Sequence, residues 1–570
     1  MTYTDYKIVT RTIRGQEVLK LIDTPDFIEQ WNHLHRQTGG FSVLQSKEFL
    51  ATWYKLYHET LEPVLCLAYR GQRAVGLMGL AWHKTENYLT HAGEFEAEYH
   101  GWLVIPGFEE VFLNQCLQIL KKQFPISKWE WLWMPPNTSI DLLEAALPDD
   151  MKMTLNIQEA PNWDLRNPEK LKKLRKSKSL KSKMKRFQRR GAVVFEVIEE
   201  VDRLAEVLKQ AKGQYDFRQE GAYGISPFAD DPRKEALTLK LFEAGIAHAS
   251  VLWLDDKVLA FHFGCKDDKR VCLGIISYDP SESRLSPGTL IIIELADRLT
   301  QDGYHYFDLT PGTDSYKDRF ANEYQTLYQP TISFVKKRDI IEKIKRRGIN
   351  TFKKFMKQIG LRIGTLRNIK NSLEELPENI SILRRHHSWL YLIKNALFNK
   401  QQINIYSVNR FNENVLASDK IQTQHFEHLM QYDDYVPFLQ NRKLYQHSLA
   451  KFSDGATLFS IANQENLHWF AWKLGTKKPI QLSTIQKPIT LETGQVICDI
   501  YQNSTAIDTQ VFSDNIEQVL STCTISEDNP TFLILTGNQQ LNSKLIEDWD
   551  IELKEKRTWI RIFYLFNWEV

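Results

Sequence analysis

Apolar residues along the first 165 positions follow two kinds of spacing. Some stretches repeat them every third or fourth position, as on one face of a helix. Two continuous apolar stretches, 62–71 and 73–84, meet at a Gly-Gln-Arg turn, which predicts a β-hairpin. The helices are predicted at 26–35, 46–59 and 111–124. Helices and strands in alternation indicate an α/β unit over residues 1–165.

Tryptophans mark a further strand of this unit. Trp129, Trp131 and Trp133 occupy every second position, and side chains at that period lie on one face of a strand. We interpret the row as core packing, with the wall of a cleft as the alternative.

Residues 166–335 repeat the alternation in a fixed order: a strand, two helices, three consecutive strands, a helix and two strands. The strands are predicted at 191–199, 246–256, 257–268, 270–280, 305–312 and 324–337, and the helices at 202–215, 234–245 and 286–303. Asp-Asp-Lys breaks separate the three consecutive strands and are typical of hairpin loops. These three strands are therefore predicted to be antiparallel.

The last part of the chain, 401–570, has nearly the same order. Its strands are predicted at 403–409, 457–463, 467–474, 495–503, 531–538 and 558–567, and its helices at 436–452 and 512–523. A chain of 570 residues allows three or four domains at roughly 150 residues each. We predict three α/β units with mixed, mainly antiparallel sheets flanked by helices, and a basic helical linker over 336–400.

Charge is strongly clustered although the net charge is only +2. Residues 166–190 contain thirteen Lys and Arg against one acid, Glu169, and residues 336–370 contain thirteen against two acids. The first cluster is either a solvated connecting helix or an arm that attracts the phosphates of a ligand, a nucleic acid or a lipid surface. The second predicts a basic amphipathic helix that packs on a neighbouring domain or lies on an anionic membrane.

Cysteine usage and hydropathy indicate the compartment. The six cysteines show no CxxC pair and no metal-ligand spacing with histidine, so we expect reduced thiols and no metal. The first residues lack the apolar core of a signal peptide, and the apolar runs are shorter than the roughly 20 residues of a membrane span. We expect a cytoplasmic protein, with a peripheral position at the inner membrane face as an alternative.

One candidate binding motif opens a helix directly after a strand. Ser286-Pro287-Gly288-Thr289 stands at the start of the predicted helix 286–303. Unpaired N–H groups and a partial positive charge make a helix N-terminus suitable for phosphate or carboxylate. An ordinary Ser/Pro helix start is the alternative interpretation.

A carboxylate and a lysine follow in the next predicted strand and loop. Asp308 lies between Phe307 and Leu309, so its side chain is expected to point away from the core. An aspartate there can orient or deprotonate a nucleophile, and Lys317 can stabilise a developing oxyanion. The alternative is an Asp308–Lys317 ion pair that closes the domain and takes no part in chemistry.

Further polar residues line the same predicted edge. Gly312 ends the strand that contains Asp308, and Tyr316 precedes the lysine. Tyr278 and Asp279 end the preceding strand, beside the Ser-Pro-Gly loop, and are candidates for positioning a substrate. His262 lies on the face opposite its aromatic neighbours, where it either reaches a substrate or is a satisfied core histidine.

Four segments together resemble a known family. They are YLTHAGEFEAEYHGWLV (88–104), LKSKMKRFQRRG (180–191), YDPSESRLSPGTLIIIELA (278–296) and YFDLTPGTDSYKDRF (306–320). With the order of elements, they resemble the tandem GNAT (Gcn-related N-acetyltransferase) units of the CelD/BioF-like acyltransferases, which are similar to the Fem peptidyltransferases. The resemblance covers residues 26–335, a little over half of the chain.

The resemblance implies an N- or O-acyltransferase. Its site would comprise Asp308, Tyr316 and Lys317 as catalytic residues, the loop 286–289 for the donor, and His262, Tyr278, Asp279 and Gly312 for substrate. The implied donor is acyl-CoA, and the implied acceptor is an amine or hydroxyl of a cell-envelope or polysaccharide precursor. The alternatives are a Fem-like transferase that uses aminoacyl-tRNA and a non-catalytic scaffold. The last unit, whose corresponding loop STAIDTQVF (504–512) has no glycine, is interpreted as a degenerate copy.

Overall fold

The computed structural model divides the chain into two compact units. The first comprises Met1–Asp216, Ser226–Asp279 and Leu285–Ile341, and the second Phe217–Ile225, Pro280–Arg284 and Glu342–Val570. The structure describes residues 8–38, 43–136, 138–312, 314, 316–334, 398–410, 420–432, 441–463, 466–482, 488–502, 509–523, 530–536, 539–541, 543–562 and 566–569. The predicted basic segment 336–370 lies outside them. The finer boundaries at 165/166, 335/336 and 400/401 stay predictions.

The first unit alternates helices and strands as the apolar spacing predicts. Its helices are α1 (Gln16–Leu21), α2 (Pro25–Gln37), α3 (Lys47–Tyr57), α4 (Glu109–Gln123), α5 (Ile140–Ala145), α6 (Glu169–Arg175), α7 (Lys178–Gln188), α8 (Val201–Tyr223), α9 (Pro227–Asp230), α10 (Arg233–Glu243) and α11 (Pro287–Gln301). Its strands are β1 (Val9–Arg14), β2 (Glu62–Arg70), β3 (Arg73–His83), β4 (Tyr88–His91), β5 (Leu103–Val104), β6 (Lys128–Glu130), β7 (Lys152–Asp164), β8 (Val193–Val197), β9 (Ala247–Leu254), β10 (Lys257–Cys265), β11 (Arg270–Cys272), β12 (Ile275–Tyr278), β13 (Tyr306–Asp308) and β14 (Glu323–Ser333).

Three sheets organise these strands. One has the order β1-β2-β3-β4, with β5 on β3; the second is β12-β10-β9-β8; and the third is β11-β13-β7-β14-β6. All pairs are antiparallel except β11 with β13. The third sheet joins β6 and β7 to strands that occur more than 100 positions later in the chain.

The prediction of one continuous strand over 270–280 is wrong. The segment forms β11, which pairs with β13, and β12, which pairs with β10 in a different sheet. Gly274 has a left-handed φ of 45°, and a Cβ there would overlap the Phe263 carbonyl. A Cβ at Gly264 would likewise overlap the carbonyl of Cys272. Two glycines thus allow the backbones to approach closely at the point where the strands part.

Aromatic packing accounts for the tryptophan row. Trp129 and Trp131 are each 1% exposed and belong to one core cluster with Trp102. Burial of such large rings contributes strongly to the hydrophobic core. Both rings are buried in the core, as the core-packing interpretation predicts, and Trp131 also borders a pocket.

The second unit repeats the order of elements seen between β8 and β14. Its strands are β15 (Phe398–Val408), β16 (Gln422–Thr423), β17 (Thr457–Ala462), β18 (Leu467–Gly475), β19 (Gln495–Gln502), β20 (Thr531–Thr536), β21 (Ile551–Ile562) and β22 (Phe566–Glu569), and its helices are α12 (Asn441–Asp454), α13 (Thr509–Leu520) and α14 (Ser543–Asp548). They build one sheet in the order β16-β17-β18-β19-β20-β15-β21-β22, in which β19 and β20 are parallel.

The predicted α/β fold with mixed, mainly antiparallel sheets is confirmed. In each repeat one helix connects the two strands of the single parallel pair, α11 between β11/β12 and β13, and α13 between β19 and β20. None of the helices in the described ranges is long and apolar enough to cross a bilayer. Each of the six cysteines is a buried free thiol.

Candidate active site

Asp308 ends β13 in a buried ion pair. The residue is 3% exposed, and Arg270 Nη1 on β11 donates to its carboxylate at 2.7 Å. The Tyr99 hydroxyl lies 3.0 and 2.9 Å from the two carboxylate oxygens, and the Thr310 N–H donates to Oδ1 at 2.8 Å. The partner of Asp308 is therefore Arg270, whereas the ion-pair alternative placed Lys317 there. With these donors in place, the carboxylate fixes the end of β13.

Lys317 lies beside the same strand end. It is 4% exposed, and its ammonium donates to the carbonyls of Thr310 and Pro311 at 3.2 and 3.1 Å, with the Asp314 carboxylate at 3.8 Å. Burial lowers its pKa, while nearby carboxylates, among them Asp314 and Glu98, act in the opposite direction. Thr310 has a left-handed φ of 61°, a conformation that costs about 1–3 kcal/mol and is commonest at functional sites.

A pocket of about 210 Å³ opens next to Thr310. Its polar lining residues include Glu96, Glu98, Lys234 and Thr310. Gly264 and Gly274 line it at the strand split, the point where β11 and β12 part. Burial raises the pKa of Glu98 to about 7, and the negative charge of Asp308 adds to the increase. Glu98 Oε2 has no hydrogen-bond partner among the described residues. The pocket therefore contains an acid that can exchange a proton near neutral pH.

A second acid in this pocket is already neutralised. Lys234 on α10 donates to the two carboxylate oxygens of Glu96 at 2.7 and 2.5 Å. Burial alone would lower the pKa of Lys234, but the interactions with Glu96, Tyr215 and Glu98 together outweigh it and the pKa is raised. The lysine thus stays charged and paired. Glu96 is therefore held in an ion pair, whereas Glu98 Oε2 has no hydrogen-bond partner among the described residues.

Positive charge collects at the start of α11. Ser286 has a left-handed φ of 56°, and Lys183 Nζ on α7 donates to its hydroxyl at 2.7 Å. Burial lowers the pKa of Lys183, and the nearby Arg319 guanidinium adds to the decrease. Among the described residues, neither Lys183 nor Arg319 forms an ion pair, and the first turn of α11 contains no acid. Two unneutralised cations and a helix N-terminus form a site suited to phosphate.

Comparison with known proteins assigns the middle of the chain to a family. Residues 173–318 match the family described as Acetyltransferase (GNAT) domain. This segment, about a quarter of the chain, is similar to a GNAT domain. The match indicates a transferase of the GNAT superfamily, with the substrate unspecified. No curated protein matches the chain.

Solved structures of low identity align with a little over half of the chain. FemX aligns over 56% of this chain and 98% of its own, at 11% identity and a TM-score of 0.36. A tandem GNAT protein from the clavulanic acid biosynthesis pathway aligns over 57% and 98%, at 10% identity and a TM-score of 0.36. L-PGS from Bacillus licheniformis aligns over 55% and 94%, at 12% identity and a TM-score of 0.36. The narrower resemblance to CelD/BioF-like proteins stays a prediction.

The GNAT domain holds its predicted substrate residues in different environments. Tyr278 is half-buried and packs on the start of α11, where a Cβ at Gly288 would lie 2.9 Å from its ring. Asp279 is buried in an ion pair with Lys257. The Gly312 carbonyl accepts from Gln158 Nε2 at 3.0 Å.

Two other predicted residues lie within the packed domain. Tyr316 is half-buried against the core cluster that includes Phe320. His262 is fully buried, and its Nε2–H donates to the Cys272 carbonyl at 3.0 Å. Burial lowers its pKa to about 4, so the imidazole is neutral. This geometry places His262 in the core with its Nε2 satisfied by the backbone, while Nδ1 has no hydrogen-bond partner among the described residues. We leave His262 out of the proposed mechanism.

The acid of the pocket lies outside the GNAT domain and was not singled out from the sequence. Glu98 belongs to the segment 88–104, and the three acids Glu94, Glu96 and Glu98 alternate there with apolar residues. That alternation is the one local signal for an acidic edge. The burial of Glu98 depends on α10 and on the strand split, both of which are distant from it in sequence.

Proposed function

We propose that the GNAT domain transfers an acyl group from a thioester donor such as acyl-CoA to an amine or hydroxyl acceptor, with Glu98 as the general base. The observation that carries this proposal is a carboxyl group with a pKa of about 7 that lines a pocket at the strand split. A base is most effective when its pKa lies near the working pH.

Proton transfer and charge stabilisation would be divided between two residues. As the acceptor attacks the acyl carbon, Glu98 Oε2 takes the proton of its N–H or O–H group. When the tetrahedral intermediate collapses, the C–S bond of the donor breaks and the leaving thiolate takes that proton from Glu98, which restores the carboxylate. Lys317 supports the negative charge that develops on the acyl oxygen, because its ammonium lies beside Thr310, which lines the same pocket. Lys317 Nζ also donates to the Thr310 hydroxyl at 3.3 Å, and that hydroxyl itself donates to Leu309 O at 2.7 Å. The lysine can therefore give up this bond when substrate binds, because the hydroxyl keeps its bond to Leu309.

Asp308 is proposed as a positioning residue in this mechanism. Its hydrogen bonds with Arg270, Tyr99 and the Thr310 N–H leave it no open face toward a substrate. By fixing the turn after β13, it fixes the oxygens that hold Lys317. Removing one partner of a buried ion pair costs about 3–5 kcal/mol, so the group is expected to be essential for the local fold.

The start of α11 would hold the phosphates of the donor. Lys183, Arg319 and the N–H group of Gly288 are the proposed ligands, since Pro287 has no N–H and those of Thr289 and Leu290 donate to the Ser286 carbonyl. They fit a phosphate-bearing molecule because the two cations are not neutralised by described carboxylates. The donor would supply an activated thioester at the strand split.

The acceptor class is proposed from the sequence resemblance: a cell-envelope or polysaccharide precursor. A Fem-like use of aminoacyl-tRNA is the second candidate, and the exposure of most Lys and Arg side chains on α6 and α7 favours it. A catalytically silent scaffold is the third. Thermal stabilisation by acyl-CoA would support the first, stabilisation by aminoacyl-tRNA the second, and liposome binding without either effect the third.

The decisive experiment measures acyl transfer by Glu98→Gln and by wild-type protein across pH. Because Glu98 must be deprotonated to act, wild-type kcat/KM should rise with pH through about 7 and then level off. The variant should lose about 10²–10⁴-fold in rate together with this pH dependence. Glu96→Gln is the matched control for charge removal in the same pocket. A Glu98→Gln rate close to wild type would reject Glu98 as the base.

A further inference from the structure

A larger pocket of about 490 Å³ shares Phe95 with the pocket of Glu98. It is lined mainly by side chains with hydroxyl, amide or carboxylate groups from β4, β6, β14 and the segment after β4. They include Tyr88, Glu94, Glu130, Gln329 and Thr331. A volume of this size is typical of small-molecule sites, which are usually about 300–1,000 Å³.

One wall of this pocket is a rigidly held aromatic ring. Trp131 lines the pocket, is 1% exposed and stands 4.3 Å from His91 and 5.8 Å from Trp102, measured between ring centroids. Its indole N–H has no hydrogen-bond partner among the described residues. At the rim, Phe95 is 86% exposed, which is unusual for so large an apolar side chain. The pocket therefore combines apolar ring surface with an unsatisfied buried donor.

The charges of the pocket select against anions. Glu86, Glu94 and Glu130 line it together with Lys128, which is ion-paired with Glu130. The Tyr88 hydroxyl donates to Glu94 at 2.9 Å. A phosphate or carboxylate ligand would meet mainly like charge here, whereas hydroxyl groups would find carboxylate and amide acceptors.

We infer that this pocket binds a pyranose ring that carries no negative charge, as the glycan part of the acceptor. The apolar face of the sugar would lie on the exposed ring of Phe95, and its hydroxyls would donate to Glu94, Glu130 and Gln329. The inference rests on the proposed function for the role of the sugar as acceptor. Binding itself is independent of it.

The test is calorimetric titration of the full chain with tetrasaccharides of glucose, glucosamine and galacturonate. We expect glucose or glucosamine tetramers to bind with a Kd below about 1 mM and the galacturonate tetramer not to bind. Thr331→Arg fills the pocket and should weaken binding at least about tenfold. Thr326→Arg is the control on the same strand, since Thr326 is exposed and does not line the pocket. Phe95→Ala changes only an exposed ring at the rim of the pocket and leaves its interior intact. It should also weaken binding.

Three results would overturn the inference: no binding of any tetramer, binding that survives both Thr331→Arg and Phe95→Ala, or equal binding of galacturonate. Glu98→Gln separates the two proposals, because it should retain sugar binding while losing transfer. Acyl transfer without sugar binding would contradict the sugar site and leave the proposed function intact. Sugar binding without transfer would remove the proposed function alone.

Discussion

At the scale of single residues, the raised pKa of Glu98 is expected to lower the stability of the folded protein at neutral and higher pH. Burial raises its pKa from the ordinary 4.5 to about 7, so between these values the folded protein keeps a proton that the unfolded chain releases. The free energy of unfolding is therefore highest, as far as this group is concerned, below pH 4.5, and it falls as the pH rises from 4.5 to 7. We expect Glu98→Gln to be more stable than wild type at pH 8, by at most about 3 kcal/mol, and not at pH 4.5. Urea unfolding at the two pH values measures this; an equal effect at both would contradict the shifted pKa.

Lys317 offers a second test at this scale. We expect Lys317→Ala to lower turnover by about 10²–10³-fold, as for loss of an oxyanion-stabilising group. The melting temperature should change by only a few degrees, because the nearest carboxylate, Asp314, is 39% exposed and stays hydrated when its partner is removed. Turnover assays and thermal melts of the same preparation measure both effects. An unfolded variant would make the lysine structural, and the Asp314→Asn variant shows how much of any change comes from that ion pair alone.

At the scale of elements, α7 and the start of α11 together contribute to the proposed donor site. We expect Lys183→Gln and Arg319→Gln each to raise KM for acyl-CoA by roughly 5–20-fold with little change in kcat, since phosphate contacts far from the reacting atoms give uniform binding. The increase should shrink at high salt. Steady-state kinetics at two salt concentrations measure it. Lys185→Gln is the control, because Lys185 is exposed on the same helix; an equal effect there would point to general electrostatic attraction.

The elements also show what the sequence can and cannot reveal. Helices α2, α3 and α4 follow from apolar periodicity because one face of each is buried. Strand β7 is not predicted from the sequence, although Met153, Leu155 and Ile157 alternate as in a strand. The break between β11 and β12 has no local signal, since Gly274 lies in an apolar run and only the approach of another strand requires it.

The candidate site, like the fold, can be predicted only in part from the sequence. The proposed phosphate loop and the lysine after β13 are local motifs, and each has charged neighbours in the structure. The partners of Asp308 are not local: Tyr99 lies 209 positions away in the sequence. Glu98 becomes a candidate base only when distant segments bury it, and burial of this kind is a property of the tertiary fold.

At the scale of the whole molecule, the two units interleave in the chain. Helix α8 begins in the first unit, and its last residues belong to the second. Phe217 is fully buried in the second unit, with its ring 5.4 Å from Phe426 and 4.6 Å from Tyr445. Removing residues 401–570 therefore leaves this ring without its partners.

We expect a chain that ends at residue 400 to fold and to keep residual acyl transfer, because the proposed donor loop, Glu98 and Lys317 all belong to the first unit. Its solubility should fall, since Phe217 becomes an exposed apolar residue, and Phe217→Ser in the truncated chain should restore it. Circular dichroism, sedimentation and transfer assays of the two truncated forms measure these effects. Loss of all structure in both would contradict the division into two units. A folded but inactive Phe217→Ser form would instead assign the second unit a direct part in catalysis.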